Sequence, residues 1–153
     1  MAGKLHGLEP DERVLASAAA SFRGATSASI RATFALGSAR RRLDAYYVWR
    51  EQAQMAGLTT AGPEMLLGVT DTRLVVWSTT FWLSRPHQVT GTIALTKVSD
   101  VATVRHGLVT SLALALTTGD IVEVEAMRGR RLARVADALR EVIATTRRPT
   151  GPP

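Results

Sequence analysis

The sequence predicts an α+β fold, an antiparallel β-barrel or sandwich of about seven strands capped by a C-terminal amphipathic helix. Two observations support this prediction. Between residues 65 and 125 short runs rich in Val and Leu alternate with turn residues, and several runs have the period of two that marks a half-buried strand. From Leu132 onward the apolar residues recur every three or four positions, which is the period of a helix. Strands followed by a closing helix define an α+β plan.

The N-terminal half gives weaker signals. Glu9–Ser17 fits either a strand or the start of a helix. Ser38–Ala56 favours a helix, because Ser38 can serve as the N-cap and Gly57 follows as a C′ residue. Leu43, Tyr46, Tyr47 and Ala53 form a rough apolar stripe on this helix. The spread of Tyr46, Tyr47 and Trp49 fits packing onto a sheet, either this chain's own or that of a neighbouring copy.

The clearest hairpin joins Met65–Thr70 to Leu74–Thr79 through the turn "TDTR". Asp71 stands where its side chain can bond the backbone two residues further on, the usual reason for Asp in a turn. We therefore interpret the Asp71–Arg73 pair as the corner of a hairpin and not as a catalytic pair.

A second group of strands follows. Gly91–Leu95 and Val98–Arg105 are extended, and His106 with Gly107 marks a turn. The turn "TTGD" then separates two alternating runs, whose inward-facing residues are Leu112, Leu114, Leu116, Val122 and Val124.

The C-terminal helix carries one apolar stripe and ends before a tail, residues 147–153, that we expect to be disordered. The stripe consists of Leu132, Val135, Ala136, Leu139, Val142 and Ile143.

Together, "LLGVTDTRLVVWS", "IALTKVSDV", "LALALTTGDIVEVEA" and the final helix resemble the bacterial pleckstrin-homology-like (PH-like) domains and related GRAM-type modules. "LEPDERVLA" resembles their first strand. The resemblance implies one domain, residues 8–146, in which residues 22–63 form a helical insertion after the first strand. It also implies a non-catalytic binding scaffold, and it carries over no ligand.

The composition points in the same direction. The chain has no cysteine, and its three histidines show no metal-ligand spacing. None of the common nucleotide-binding, hydrolase or metalloprotease motifs occurs. We expect no enzymatic activity, no metal and no cofactor. The N-terminus shows no apolar run typical of a signal peptide, so a cytoplasmic location is the expectation.

The net charge of +6 favours an anionic partner. Seventeen of the nineteen basic residues are arginine and asparagine is absent, a skew typical of a GC-rich genome. The candidate anion-binding residues fall at the starts of the two predicted helices, where the helix dipole disfavours cations and favours anions. These residues are Arg40, Arg41, Arg42, Arg128, Arg130 and Arg131. An aromatic and basic loop adds three candidate contact residues, Phe81, Trp82 and Arg85.

Two functions stay open at this stage. The favoured one is an adaptor that binds another protein, or a second copy of itself, through a sheet edge, the insertion helix or the Phe81–Trp82 loop. The alternative is a binder of anionic ligands through the arginine clusters. An acidic membrane surface is then the stronger candidate ligand and nucleic acid the weaker one.

Overall fold

The computed structural model describes residues 5–22, 47, 50, 51, 54, 58, 64–79, 86–127, 129–148 and 151. Seven antiparallel strands form one sheet in the order β4-β3-β2-β1-β7-β6-β5. The strands are β1 (Val14–Phe22), β2 (Glu64–Thr70), β3 (Arg73–Thr79), β4 (Pro86–Ala94), β5 (Val98–His106), β6 (Val109–Leu116) and β7 (Ile121–Met127). A short 3-10 turn, Leu95–Lys97, joins β4 to β5, and helix α1, Arg130–Arg147, follows β7.

The predicted seven-stranded α+β plan is confirmed, but the sheet does not close into a barrel. Strands β4 and β5 lie at its two ends and do not pair with each other. Among the described residues, the two halves of the sheet are joined by backbone pairing where Ser21 and Phe22 of β1 meet Glu125 and Val124 of β7. Closure is not needed to bury the apolar face, because α1 covers it.

Helix α1 packs against this face through the predicted apolar stripe. Leu132, Val135, Ala136 and Leu139 are fully buried, Ile143 is buried and Val142 is partly buried, all in one cluster with the inward side chains of the strands. Burying one such Leu or Val contributes about 1.5–3 kcal/mol. The helix therefore fixes the position of the sheet beneath it.

The opposite face of β2, β3 and β4 is also covered. Val75 and Trp77 are fully buried but lie outside the main core cluster. The indole Nε1 of Trp77 donates a hydrogen bond to the carbonyl of His6 at 2.9 Å. The N-terminal segment, residues 5–13, thus lies across the outer face of this half of the sheet.

Four described residues of the predicted insertion helix, Tyr47, Arg50, Glu51 and Gln54, are helical and exposed. Tyr47 is 56% exposed, so it is not buried on this chain's own sheet, and packing on a neighbouring copy stays a prediction. It lies one turn from Arg50 and Glu51, on the hydrated face of the helix. The remaining residues of Ser38–Gly57 lie outside the described part of the chain. Leu58, in contrast, is buried and forms a bridge with Gly91 of β4.

Candidate binding groove beside strand β5

Strand β5 is an edge strand, and its first half is covered by α1. The guanidinium of Arg147 donates to the carbonyls of Val98 and Ser99 at 3.2 and 3.0 Å. Arg140 Nε donates to the carbonyl of Val101 at 3.4 Å. These bonds satisfy edge carbonyls that would otherwise be free to pair with another strand.

The second half of β5 keeps an open edge. Residues 102–106 are all exposed. In an antiparallel pair the backbone groups of successive residues point alternately toward and away from the partner strand. Since the Val101 carbonyl points away from β6 toward Arg140, the N–H and C=O groups of Thr103 and Arg105 also point outward. The β5–β6 turn supports the same assignment. Its two-residue loop makes His106 and Val109 a hydrogen-bonded pair, so Val104 and Ala102 also bond to β6, while Arg105 and Thr103 do not.

A groove of about 660 Å³ runs between this open edge and the start of α1. Thr103 and Arg105 share one face of β5, the face that carries Val101 into the core. Side chains of the strand, the hairpin and the helix therefore meet in the same space. The lining residues are Thr103, Arg105, Leu108, Thr110, Gly129, Arg130 and Ala133.

Gly129 sets the distance between the groove's two walls. It is buried and directly precedes α1. A Cβ atom at this position would overlap with the Cβ and Oγ1 atoms of Thr110 on β6. Only glycine lets the helix begin this close to the strand. Gly129 also provides no side-chain cap, and the first turn of α1 contains no acidic residue.

The groove is positively charged. Arg105 Nε donates to the carbonyl of Gly107 at 3.3 Å, which orients its side chain along the hairpin. Arg130 is exposed on the helix side. Among the described residues no carboxylate lies within salt-bridge distance of either guanidinium, and no acid lines the groove. The rim is apolar, since Leu108 is 63% exposed.

A second groove, of about 580 Å³, lies between β1 and the middle of α1. Its charges are balanced, because Arg131 and Arg134 face the same space as Asp137 and Glu141. Asp137 also forms an ion pair with Arg140 at 3.0 Å. This groove therefore has no preference for one sign of ligand charge.

The structure separates the two predicted anion-binding residues that it describes. Arg130 lines the positive groove beside β5, whereas Arg131 lines the balanced groove beside β1. They are neighbours in sequence but project from different sides of α1. The other predicted residues lie outside the described part of the chain; these are Arg40, Arg41, Arg42, Arg128, Phe81, Trp82 and Arg85.

Asp71 and Arg73, at the β2–β3 turn, bind the N-terminal segment. Arg73 binds Glu12 with two hydrogen bonds of 2.8 Å, and the Glu12 side chain is only 2% exposed. Thr70 and Thr72 also donate to Glu12. These bonds, that of Arg73 above all, lower the pKa of Glu12 to about 2 against the opposing effect of burial. These three partners of Glu12 hold the N-terminal segment against the β2–β3 turn, so we assign the cluster a structural role.

The predicted role of Asp71 is wrong in detail. The backbone N–H of Arg73 bonds to the hydroxyl of Thr70, at 3.0 Å, and not to Asp71. Instead, Asp71 Oδ1 accepts a hydrogen bond from the backbone N–H of Arg13. In return, the backbone N–H of Asp71 donates a hydrogen bond to the carbonyl of Arg13. The Thr70 hydroxyl replaces the carboxylate because it lies inside the turn, while Asp71 faces the N-terminal segment.

The described residues contain no group of three His, Asp or Glu side chains suited to a metal ion. Within the same residues, no helix combines the length and the apolar character that crossing a bilayer requires. Glu12, the carboxylate whose pKa is lowered, is enclosed by its hydrogen-bond partners and lines neither of the two grooves described above.

Sequence reasoning predicted only Arg130 among the described residues that line the groove beside β5. It missed the other six, namely Thr103, Arg105, Leu108, Thr110, Gly129 and Ala133. The "RHGL" hairpin placed Arg105 and Leu108 near a turn. No local pattern tells an edge strand from an inner strand that has the same alternation.

An antiparallel seven-stranded sheet with a C-terminal helix is the plan that the resemblance to PH-like domains implies. Comparison with known proteins matched no family model and no curated protein. Among solved structures, the chain is similar to a DUF1696 family protein with a pleckstrin-homology domain from Shewanella loihica PV-4. The two are 13% identical over 53% of this chain and 68% of that chain, with a TM-score of 0.37.

Proposed function

We propose that this chain is a non-catalytic binding module of PH-like type that binds an extended segment of a partner protein along β5. The observation that carries the proposal is the open edge at residues 102–106, beside a groove that continues it. A segment lying there would add a strand to the sheet. Backbone hydrogen bonds would supply affinity, and the groove would read the side chains.

The edge is divided between closed and open parts. Arg140 and Arg147 occupy the carbonyls of the first half, while Thr103 and Arg105 face outward in the second half. At the other end of the sheet Leu58 bridges β4. Proteins usually protect their edge strands, so a stretch of β5 left open while the rest of that edge and β4 are covered supports a docking role.

The alternative, binding of an acidic membrane surface or of nucleic acid, has less support. Such surfaces are bound by several cations acting together on one face. Arg130 and Arg131 line different grooves, and the groove of Arg131 also contains Asp137 and Glu141. The two described members of the predicted arginine clusters therefore do not act together on one face.

The test uses two substitutions at Thr103 in the full chain. Thr103→Pro removes the outward N–H but no bond to β6, whereas Thr103→Ala removes the side chain and keeps that N–H. Short peptides selected from a random display library against the wild-type chain provide the probe. We expect Thr103→Pro to lose peptide binding and Thr103→Ala, which keeps the backbone N–H, to weaken it far less, as measured by fluorescence anisotropy.

Thermal unfolding of both variants provides the control, because each should keep a cooperative transition near that of the wild type. Failure to select any binding peptide, or equal binding to a folded Thr103→Pro variant, would show that β5 is not the docking edge.

A further inference from the structure

We infer that the segment bound beside β5 carries an acidic side chain, which Arg105 and Arg130 bind together. This inference rests on the proposed function and names the chemistry of its partner. One guanidinium comes from the strand wall and the other from the helix wall of a single groove. The ligand is therefore an anionic peptide, with a carboxylate or a phosphate as the charged group.

The charge of the groove supports this choice. Its described lining residues supply two guanidinium groups and two threonine hydroxyls and include no carboxylate. Arginine binds carboxylate and phosphate through two parallel hydrogen bonds. A segment with a lysine or arginine at this point would bring a third cation into the groove, which disfavours that class of partner.

The register of a docked strand predicts where the acid lies. The side chains of a strand paired with β5 alternate between the two faces of the sheet. Residues opposite or diagonal to Thr103 and Arg105 on the groove face approach those side chains most closely. An acidic residue is therefore expected at a groove-facing position, while the positions on either side of it point away from Arg105.

A second copy of this chain is a poor occupant. Pairing β5 with the β5 of another copy would bring the Arg105 and Arg130 side chains of both copies to one interface. Like charges that face each other across an interface are unfavourable. Complementarity therefore favours a different, acidic protein segment.

The experiment measures the dissociation constants of library-selected peptides for wild type, Arg105→Gln, Arg130→Gln and Arg131→Gln. Each selected peptide is compared with a version whose groove-facing acid is changed to its amide, and with a phosphoserine version. We expect Asp and Glu to be enriched among selected peptides. Loss of the acid, Arg105 or Arg130 should each weaken binding roughly tenfold, the usual effect of losing a charged hydrogen bond.

Arg131→Gln is the matched control, because it removes the same charge one residue away but from the other groove. It should leave affinity unchanged. If the selected peptides are not enriched in acidic residues and bind Arg105→Gln and Arg130→Gln as tightly as wild type, the inference of an acidic partner is overturned. Docking along β5 is then not contradicted. Loss of all peptide binding in a folded Thr103→Pro variant separately supports the docking itself.

Anionic vesicles and a single-stranded oligonucleotide are tested with the same variants. Tighter binding of either than of any peptide, with loss in Arg105→Gln and Arg130→Gln, would also overturn the inference. Preference for the phosphoserine peptide over the acidic one would assign phosphate as the bound group and support it.

Discussion

Glu12 shows how one carboxylate can hold two parts of the molecule together. Its side chain is buried between the N-terminal segment and the β2–β3 turn, and it accepts hydrogen bonds from Arg73, Thr70 and Thr72. We expect Glu12→Gln to lower the free energy of unfolding by about 2–3 kcal/mol, because Arg73 loses a buried charged partner. Urea unfolding measures this change, with the exposed neighbour Asp11→Asn as the control.

The same substitution has a pH dependence with a defined sign. The pKa of Glu12 is lowered from 4.5 to about 2, so the unfolded chain takes up its proton first as the pH falls. Its stabilising effect is complete above the unfolded pKa and is lost between that value and about pH 2. The stability difference between wild type and Glu12→Gln should therefore shrink over this range. A constant difference down to pH 2 would contradict the account.

At the scale of elements, the start of α1 depends on a glycine. Since a Cβ at Gly129 would overlap with Thr110, we expect Gly129→Ala to displace the helix start or the strand. Such overpacking costs about 1–3 kcal/mol. Gly151→Ala is the control, because a Cβ there meets nothing within 4 Å. Thermal unfolding compares the two variants. Equal unfolding midpoints would show that the close approach at Gly129 does not contribute to stability.

The elements themselves could be predicted because each carries its own local pattern. Leu112, Leu114 and Leu116 alternate and are buried in β6, and the stripe from Leu132 to Ile143 is buried in α1. Arg147, assigned from sequence to the tail, is instead the last residue of the helix. Its bonds to two β5 carbonyls stabilise that final turn, and no local pattern reveals such a distant partner.

At the scale of the whole molecule, the groove could not be predicted because it depends on neighbours far apart in sequence. Thr103 and Arg130 line the same groove because the strand order places β5 at one end of the sheet and α1 packs beside that end. Likewise, Glu12 and Arg73 meet across 61 residues. The sequence predicted that Arg130 binds an anion because it lies at the start of a helix. That β5 faces Arg130 is known only from the tertiary structure.

Hydrogen exchange along β5 in the full chain tests the central claim most directly. In the free protein we expect the amides of Thr103 and Arg105 to exchange fast, while those of Ala102 and Val104, which bond to β6, are protected. A selected acidic peptide should slow exchange at Thr103 and Arg105 and leave Ala102 and Val104 unchanged. Protection of Thr103 and Arg105 in the free chain, or fast exchange at both with the peptide bound, would contradict docking along this edge.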